Sequence, residues 1–344
     1  MKKILFYDVK PYDKEFFDSL NTKYQIEYIE SKLSAKTAVL AKGFDGVCAF
    51  VNDEIDKKAI DILYDGGVRV IAMRCAGYSN IDFKAAYKKI NVVRVPAYSP
   101  HAVAEHTMAL LLGINRKIHK AYNRTKEFNF NIAGLTGVDL YGKTVGVIGT
   151  GKIGKAFISI CKGFGMKVLA YDLYPAQDAD FEYVKLDYLL KNSDVISLHC
   201  PLTEETNKII DSDAFSKMKK GVYLLNTSRG MLIDSEALLE ALNNGTVKAA
   251  GLDVYEEESD LFFEDNSDTL IKDDVLSLLV SKQNVLLTSH QAFLTKEALE
   301  AIANITLSNL DAFFEGKALE NEVCYHCHFN KPENCVKNEQ GRCF

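Results

Sequence analysis

The tightest constraint on this chain lies between Tyr141 and Asp172. There an apolar strand, Thr144 to Ile148, runs into Gly149-Thr150-Gly151-Lys152-Ile153-Gly154, followed by a helical stretch and a second strand ending in an acid. The three glycines have separate mechanical tasks: Gly149 permits the tight turn, Gly151 lets backbone approach a pyrophosphate, and Gly154 allows the helix to pack closely on the sheet. The helix N-terminus then offers free N–H groups and the positive end of its dipole to phosphate. Asp172 falls eighteen residues after Gly154, where a carboxylate can accept from an adenosine ribose 2′-hydroxyl and repel a 2′-phosphate. No arginine follows in Leu173-Tyr174-Pro175 to hold such a phosphate, so NAD is expected in preference to NADP. The glycines alone fit a plain strand-helix turn; the strand, helix, strand and acid around them argue for a nucleotide.

A chain of 344 residues can build two compact domains, and its 47% apolar and 26% charged composition is that of an ordinary globular protein. The formal net charge of −6 leaves no basic footprint, so no nucleic-acid partner is expected. No transmembrane run occurs, and no membrane partner is expected. The start, Met1-Lys2-Lys3-Ile4-Leu5-Phe6-Tyr7-Asp8, meets an acid too soon for a secretory leader and fits a first buried strand. A cytoplasmic location is the expectation.

Apolar strands alternate with helical stretches along most of the chain. Ile4 to Tyr7, Gln25 to Ile29, Gly46 to Phe50, Val68 to Met73 and Val92 to Val95 read as strands, and so do Val145 to Ile148, Lys167 to Tyr171, Val195 to His199, Tyr223 to Asn226, Ala249 to Asp253 and Val285 to Thr288. Such alternation predicts an α/β fold with parallel sheets covered by helices, as two Rossmann-like or flavodoxin-like domains. Between the two runs, Val95-Pro96-Ala97-Tyr98-Ser99-Pro100 has two prolines that enforce extended backbone, and a helix is expected from near Ala102. A helix over Lys296 to Glu315 has no later strand of the middle run to lead into. Its return to the first domain would make that domain discontinuous: residues 1–100 plus 296–322 for substrate, with a nucleotide domain, 101–295, inserted and a cleft between them.

Three polar groups follow apolar strands downstream: Arg229 in Asn226-Thr227-Ser228-Arg229-Gly230, Glu258 in Asp253-Val254-Tyr255-Glu256-Glu257-Glu258, and His290 in Thr288-Ser289-His290-Gln291-Ala292-Phe293. Ligands of open parallel sheets bind beyond the carboxyl ends of the strands, so the three could converge. Singly, each has an ordinary reading: a turn with a solvated arginine, an acidic loop, a satisfied polar histidine.

Together with His199-Cys200-Pro201-Leu202-Thr203 and the Val95 to Pro100 segment, these residues resemble the D-isomer-specific 2-hydroxyacid dehydrogenase family over about residues 1 to 322. Within it, Glu258-Ser259-Asp260-Leu261-Phe262-Phe263-Glu264-Asp265 and His290-Gln291-Ala292-Phe293-Leu294-Thr295 are similar to the NAD-dependent D-lactate dehydrogenase branch. The resemblance implies reversible hydride transfer between NADH and pyruvate to give D-lactate, with Arg229, Glu258 and His290 at the catalytic positions. It implies cofactor contacts at Gly149, Gly151, Lys152, Ile153, Gly154, Asp172, Cys200, Pro201, Asn207, Thr227, Ser228, Arg229 and Asp253. It also places Tyr98 beside the substrate with Phe50 and Phe293 as walls, residues that could equally be core packing, and it implies a homo-oligomer, dimer or tetramer.

The residue types suit that chemistry. Reduction of a 2-oxo acid needs a proton donor and a clamp for negative charge growing on the carbonyl oxygen. His290 is the expected acid, Glu258 would orient its ring and favour the charged form, and Arg229 would grip the carboxylate and polarise the carbonyl. Backbone N–H groups at Cys75-Ala76-Gly77 would hold the carboxylate, Gly77 allowing close approach, so Ala76 and Gly77 join the substrate set. A longer substrate side chain with the same mechanism is an alternative, and a cofactor-sensing interaction protein on this fold is a more distant one.

Cys48, Cys75, Cys161 and Cys200 lie in apolar segments and read as core. Cys324, Cys327, Cys335 and Cys343 crowd into residues 323–344, a stretch outside the resemblance, expected as a separate tail. With His326 and His328 they form a soft-ligand set of the kind that binds zinc; a tail of plain thiols is the simpler expectation, and no metal is assigned.

Overall fold

The computed structural model describes residues 1–258, 261–326 and 337–344. The chain divides into two compact units, Met1–Ser99 with Thr295–Phe344, and Pro100–Leu294.

The first unit opens with β1 (Lys2–Phe6), α1 (Pro11–Leu20), β2 (Tyr24–Tyr28), β3 (Gly46–Ala49), α2 (Lys57–Asp65), β4 (Val70–Met73), the short α3 (Phe83–Ala86) and β5 (Asn91–Val93). Its strands β3 and β4 are buried throughout, as expected where helices cover both faces of a parallel sheet.

The second unit begins at Pro100, a residue that serves the first turn of a helix because the missing N–H has no partner there. It runs through α4 (Pro100–Arg116), α5 (Ile118–Lys126), β6 (Thr144–Ile148), α6 (Lys152–Gly163), β7 (Lys167–Tyr171), β8 (Glu182–Tyr183), α7 (Leu186–Asn192), β9 (Val195–Leu198), α8 (Ser212–Lys217), β10 (Val222–Asn226), α9 (Ser235–Asn243), β11 (Val247–Leu252), α10 (Asp274–Ser281) and β12 (Val285–Leu287). Its sheet, ordered β12-β11-β10-β9-β6-β7-β8, is parallel throughout. The chain leaves β6 toward β7 and later returns to its other side at β9, so the order reverses at the β6/β9 junction, the place where open α/β sheets bind ligands.

The chain then returns to the first unit through α11 (Lys296–Phe314) and β13 (Glu322–Val323). Ala303, Leu307 and Leu310 of α11 share a core with Ile4, Phe6 and Val70. The first sheet runs β13-β5-β4-β3-β1-β2, parallel except for β13, which is antiparallel to β5.

All eleven expected strands are present with ends moved by no more than two residues, and the expected Ala102 helix start moves to Pro100. The strands β8 and β13 were not expected; two residues carry no periodic signal. Of residues 323–344, expected as a separate tail, the described ones, 323–326 and 337–344, make contacts with the first unit. Val323 pairs with Val92, the Arg342 guanidinium donates to the Phe313 carbonyl at 2.8 Å, and the Cys343 N–H donates to Glu322 at 2.6 Å. Cys327, His328 and Cys335 lie outside the described residues. Among the described residues, no group of three or more His, Cys, Asp or Glu is placed to hold a metal, and no helix is long and apolar enough to cross a membrane. Cys48, Cys161 and Cys200 are buried, but Cys75, expected in the core, is half-buried.

Candidate active site

At the β6/β9 junction, Gly149 has φ +94°, and a Cβ there would lie 2.5 Å from the Cys200 amide nitrogen. The turn after β6 therefore abuts the end of β9, and glycine is required on both counts. Gly154 is equally confined, since its Cβ would fall 2.1 Å from the Gly149 carbonyl oxygen. Gly151 differs: a Cβ built there meets nothing within 4 Å. Its neighbourhood is an open cradle at the N-terminus of α6, whose first backbone N–H groups have no partner within the helix. Open space, unpaired N–H donors and a glycine facing them fit a pyrophosphate. Lys152 is exposed and Ile153 half-buried on the first turn.

Asp172 sits just past β7. Its Oδ2 accepts from the Thr150 N–H at 2.7 Å and the Thr150 hydroxyl at 2.8 Å, and its Oδ1 from the Tyr174 N–H at 2.9 Å. Partial burial alone would raise its pKa, but the hydrogen bonds from Tyr174, Thr150 and Leu173 outweigh that and hold it below the usual carboxylate range. The Thr150 hydroxyl also meets the Tyr183 hydroxyl at 2.8 Å. Thr150 and Tyr183 were not singled out in the sequence, where nothing but the coupling of two strand ends could have marked them.

The loops after β10, β11 and β12 come together. Gly230 lies so close to the β11 loop that a Cβ would stand 1.9 Å from the Tyr255 carbonyl carbon and oxygen. This packs the Arg229 turn against backbone that leads to Glu258. The Arg229 side chain is half-buried, and its Nη1 donates to the Ser228 carbonyl at 2.7 Å. The Ser228 hydroxyl donates to the Cys200 carbonyl at 2.6 Å, joining this turn to the β9 end. Thr227 is buried, its hydroxyl 2.8 Å from that of Thr107 on α4. Pro201 and Asn207 are exposed; the Pro201 carbonyl accepts from the Thr206 hydroxyl at 2.7 Å, and the Asn207 N–H donates to Thr203 at 2.9 Å.

Asp253, expected against the nucleotide, has its carboxylate engaged by its own chain and is 0% exposed. Oδ1 accepts from the Thr288 hydroxyl at 2.6 Å and the Gln291 N–H at 2.9 Å, and Oδ2 from the Ala292 N–H at 2.8 Å. The Asp253 carbonyl accepts from the His290 N–H at 2.7 Å. One residue thus pins both sides of His290, whose φ of +51° is left-handed and costs a non-glycine residue roughly 1–2 kcal/mol. A fully buried carboxylate is tolerable when its lone pairs are met this way. His106 Nε2, from α4, lies 3.4 Å from the same Oδ1.

So held, the His290 ring presents Nδ1 at 3.2 Å from each Glu258 oxygen. An ionised carboxylate can only accept, so Nδ1 carries the proton of that hydrogen bond and Nε2 remains to give or take one. The two side chains are 22% and 21% exposed, shielded but reachable. Phe263 packs beside the ring at a centroid distance of 5.9 Å. Phe293 is half-buried in the same loop.

The remaining expected residues belong to the first unit. Half-buried Ala76 and Gly77 follow β4, with their carbonyls bonded to Arg94 at 2.8 Å and the Cys75 thiol at 3.3 Å. Tyr98 is half-buried. Phe50 is 7% exposed, its ring 4.5 Å from the Arg74 guanidinium.

Residues 108–292 match the NAD binding domain of the D-isomer specific 2-hydroxyacid dehydrogenases. Over 327 residues the chain is 50% identical to a D-lactate dehydrogenase of Escherichia coli and 50% identical to a 2-hydroxyacid dehydrogenase homolog of Haemophilus influenzae, each time covering 93% of this chain and 99% of the relative. The structure of apo D-lactate dehydrogenase from Escherichia coli superposes with a TM-score of 0.87 at 47% identity, covering 93% of this chain and 99% of that one. A glycine cradle at a sheet's switch point, a ribose-ready acid and a carboxylate-histidine pair on neighbouring loops accord with these matches, and the chain belongs to the D-isomer-specific 2-hydroxyacid dehydrogenase family, NAD-dependent oxidoreductases.

Proposed function

We propose that the chain is a D-lactate dehydrogenase, reducing pyruvate to D-lactate and running the reverse reaction when lactate and NAD are in excess. The observation that carries this reading is the His290–Glu258 pair at 3.2 Å, fixed by Asp253 within the unit that matches the NAD binding domain. The name of one relative at 50% identity, a D-lactate dehydrogenase, supports the substrate.

The cofactor, when bound, supplies the hydride at its nicotinamide ring. The backbone N–H groups at Gly151, Lys152 and Ile153 bind pyrophosphate, Asp172 accepts from ribose, and Cys200, Pro201, Asn207, Thr227 and Ser228 are assigned to its remaining contacts. His290 protonates the carbonyl oxygen through Nε2 during reduction and takes that proton back during oxidation. Glu258 keeps the ring in the orientation and tautomer that free Nε2 for this. Arg229 binds the substrate carboxylate with its planar fork and polarises the carbonyl, a task for which a lysine point charge is a poorer substitute. Asp253 positions the His290 backbone. Ala76, Gly77, Tyr98, Phe50 and Phe293 are assigned to the substrate on family resemblance.

A homo-oligomer belongs to the same proposal. Ile118, Tyr122, Phe128, Phe130, Ile132 and Tyr141 form a run of exposed large apolar side chains between α4 and β6, Phe128 84% and Ile132 80% exposed. A run of this kind marks an interaction surface. A cytoplasmic location goes with the reading.

The test is turnover of NADH with a panel of 2-oxo acids of increasing side-chain length, with chiral analysis of the product. D-lactate formed from pyruvate at the highest kcat/KM supports the assignment. Highest kcat/KM on a branched or longer acid transfers it to a D-2-hydroxyacid dehydrogenase of wider pocket, and an L product contradicts both.

A further inference from the structure

A cavity of about 220 Å3 lies in the nucleotide unit away from the residues assigned above. Its lining includes Lys117, His119, Lys120, Tyr223, Lys248 and Gln283. Lys248 stands near the start of β11, and Tyr223 near the start of β10. The sheet is parallel, so these strand starts are at the opposite edge from the ends that lead to Arg229, Asp253 and His290, roughly 15–20 Å away by strand rise.

The lining carries three lysines and no carboxylate. Lys117 Nζ donates to the Gly134 carbonyl at 2.6 Å, Lys120 Nζ donates to the Gln283 carbonyl, and Lys248 Nζ lies 5.3 Å over the Tyr223 ring. Among the described residues none of the three lysines is paired with a carboxylate, in a chain whose net charge is −6. His119 Nδ1 is buried and has no hydrogen-bond partner. Burial, then the charges of Lys117 and Arg124, hold Lys120 below the usual lysine range. Burial and the Lys120 charge likewise lower His119, against a hydrogen bond with the Gly113 backbone. Like charges lining one recess, beside a histidine whose buried Nδ1 has no partner, are relieved by a bound anion. At this size, below the roughly 300–1,000 Å3 of sites for drug-sized ligands, the fitting ligand is small.

We propose that this cavity binds a small polyvalent oxyanion, phosphate or a di- or tricarboxylate, held by Lys117, Lys120 and Lys248 with His119 beside them. Ammonium groups bind such anions as point charges, and three around one recess favour multiple negative charge over chloride. The site is separate from the cofactor cradle, so occupation of one leaves the other free.

The test uses the full chain with NADH at saturation, which keeps the phosphate-binding N–H groups of α6 engaged. Sodium phosphate and sodium citrate are titrated against sodium chloride at equal ionic strength, read by melting temperature and by calorimetry. The expected result is saturable stabilisation by phosphate or citrate that chloride does not give. Lys120→Gln and Lys248→Gln should each weaken the binding about tenfold or more, and Lys248→Arg should keep most of it. The tighter of the two anions identifies the class. A response equal to that of chloride overturns the proposal, as does saturable binding unchanged in both Gln variants. Should Lys120→Gln lower stability without anion, calorimetry on Lys248→Gln decides.

Discussion

Residues at the ends of β7 and β9 differ in how firmly their charge is fixed, and that sets their response to substitution and pH. Asp172 is held ionised by donors on both oxygens, so its contribution to NADH binding should stay constant from about pH 5.5 to 8, a range above the ordinary carboxylate value. Asp172→Ser should weaken NADH binding about 10- to 100-fold, the worth of hydrogen bonds to a charged group, and improve NADPH relative to it; fluorescence titration with each cofactor reads both. His199 behaves oppositely to a pH sensor. Desolvation of this half-buried ring pushes its pKa down to about 3, and Ser197 Oγ sits 2.9 Å from Nε2. Between about pH 6.5, the ordinary histidine value, and 3 the unfolded chain binds a proton at this residue that the folded chain does not, so stability falls as pH drops through that window. Denaturant unfolding of His199→Gln at a series of pH values should show a shallower loss than wild type; identical slopes would remove His199 from the account. Asp172 and His290 could be named from the sequence because each follows a strand at a recognisable spacing. Asp253's grip on the His290 loop could not, since it joins residues 38 and 39 positions apart.

The strand-to-helix and strand-to-loop connections position the site. The glycines in them separate into two kinds that the sequence does not distinguish. Gly151 faces open space whereas Gly230 is pressed onto the Tyr255 backbone. Gly151→Ala should therefore fold with little change in melting temperature but bind NADH more weakly, its methyl standing in the phosphate cradle. Gly230→Ala should force the β10 and β11 loops apart, lowering both melting temperature and kcat even at saturating NADH. Similar melting temperatures for the two variants would contradict this division. Strands were legible where apolar residues dominate a short stretch, as at Lys167–Tyr171, whose bounds are those expected. The two-residue strands Glu182–Tyr183 and Glu322–Val323 were not, because they exist through pairing with a neighbour rather than through a pattern of their own.

Across the whole chain, the two parallel sheets follow from the alternation of apolar strands with helices, and the return of α11 to the first unit follows from the lack of any strand left for it to serve. The convergence of three loops was an inference from topology until the Gly230–Tyr255 and Asp253–Ala292 contacts gave it physical form. The proposed oligomer rests on the exposed apolar run at Phe128, Phe130 and Ile132. Light scattering should find a dimer or larger species for the wild type and a smaller one for a variant with Phe128, Phe130 and Ile132 changed to Ser; a monomer in both would remove the oligomer from the proposal. The central claim is that His290, steadied by Glu258, moves the proton while Arg229 holds the acid. Its most direct test is NADH oxidation by pyruvate in the wild type and in His290→Gln. A wild-type rate that falls on the order of 10²- to 10⁴-fold in kcat, with NADH affinity retained, is the predicted result, and equal rates in the two proteins, or none in the wild type, would contradict it.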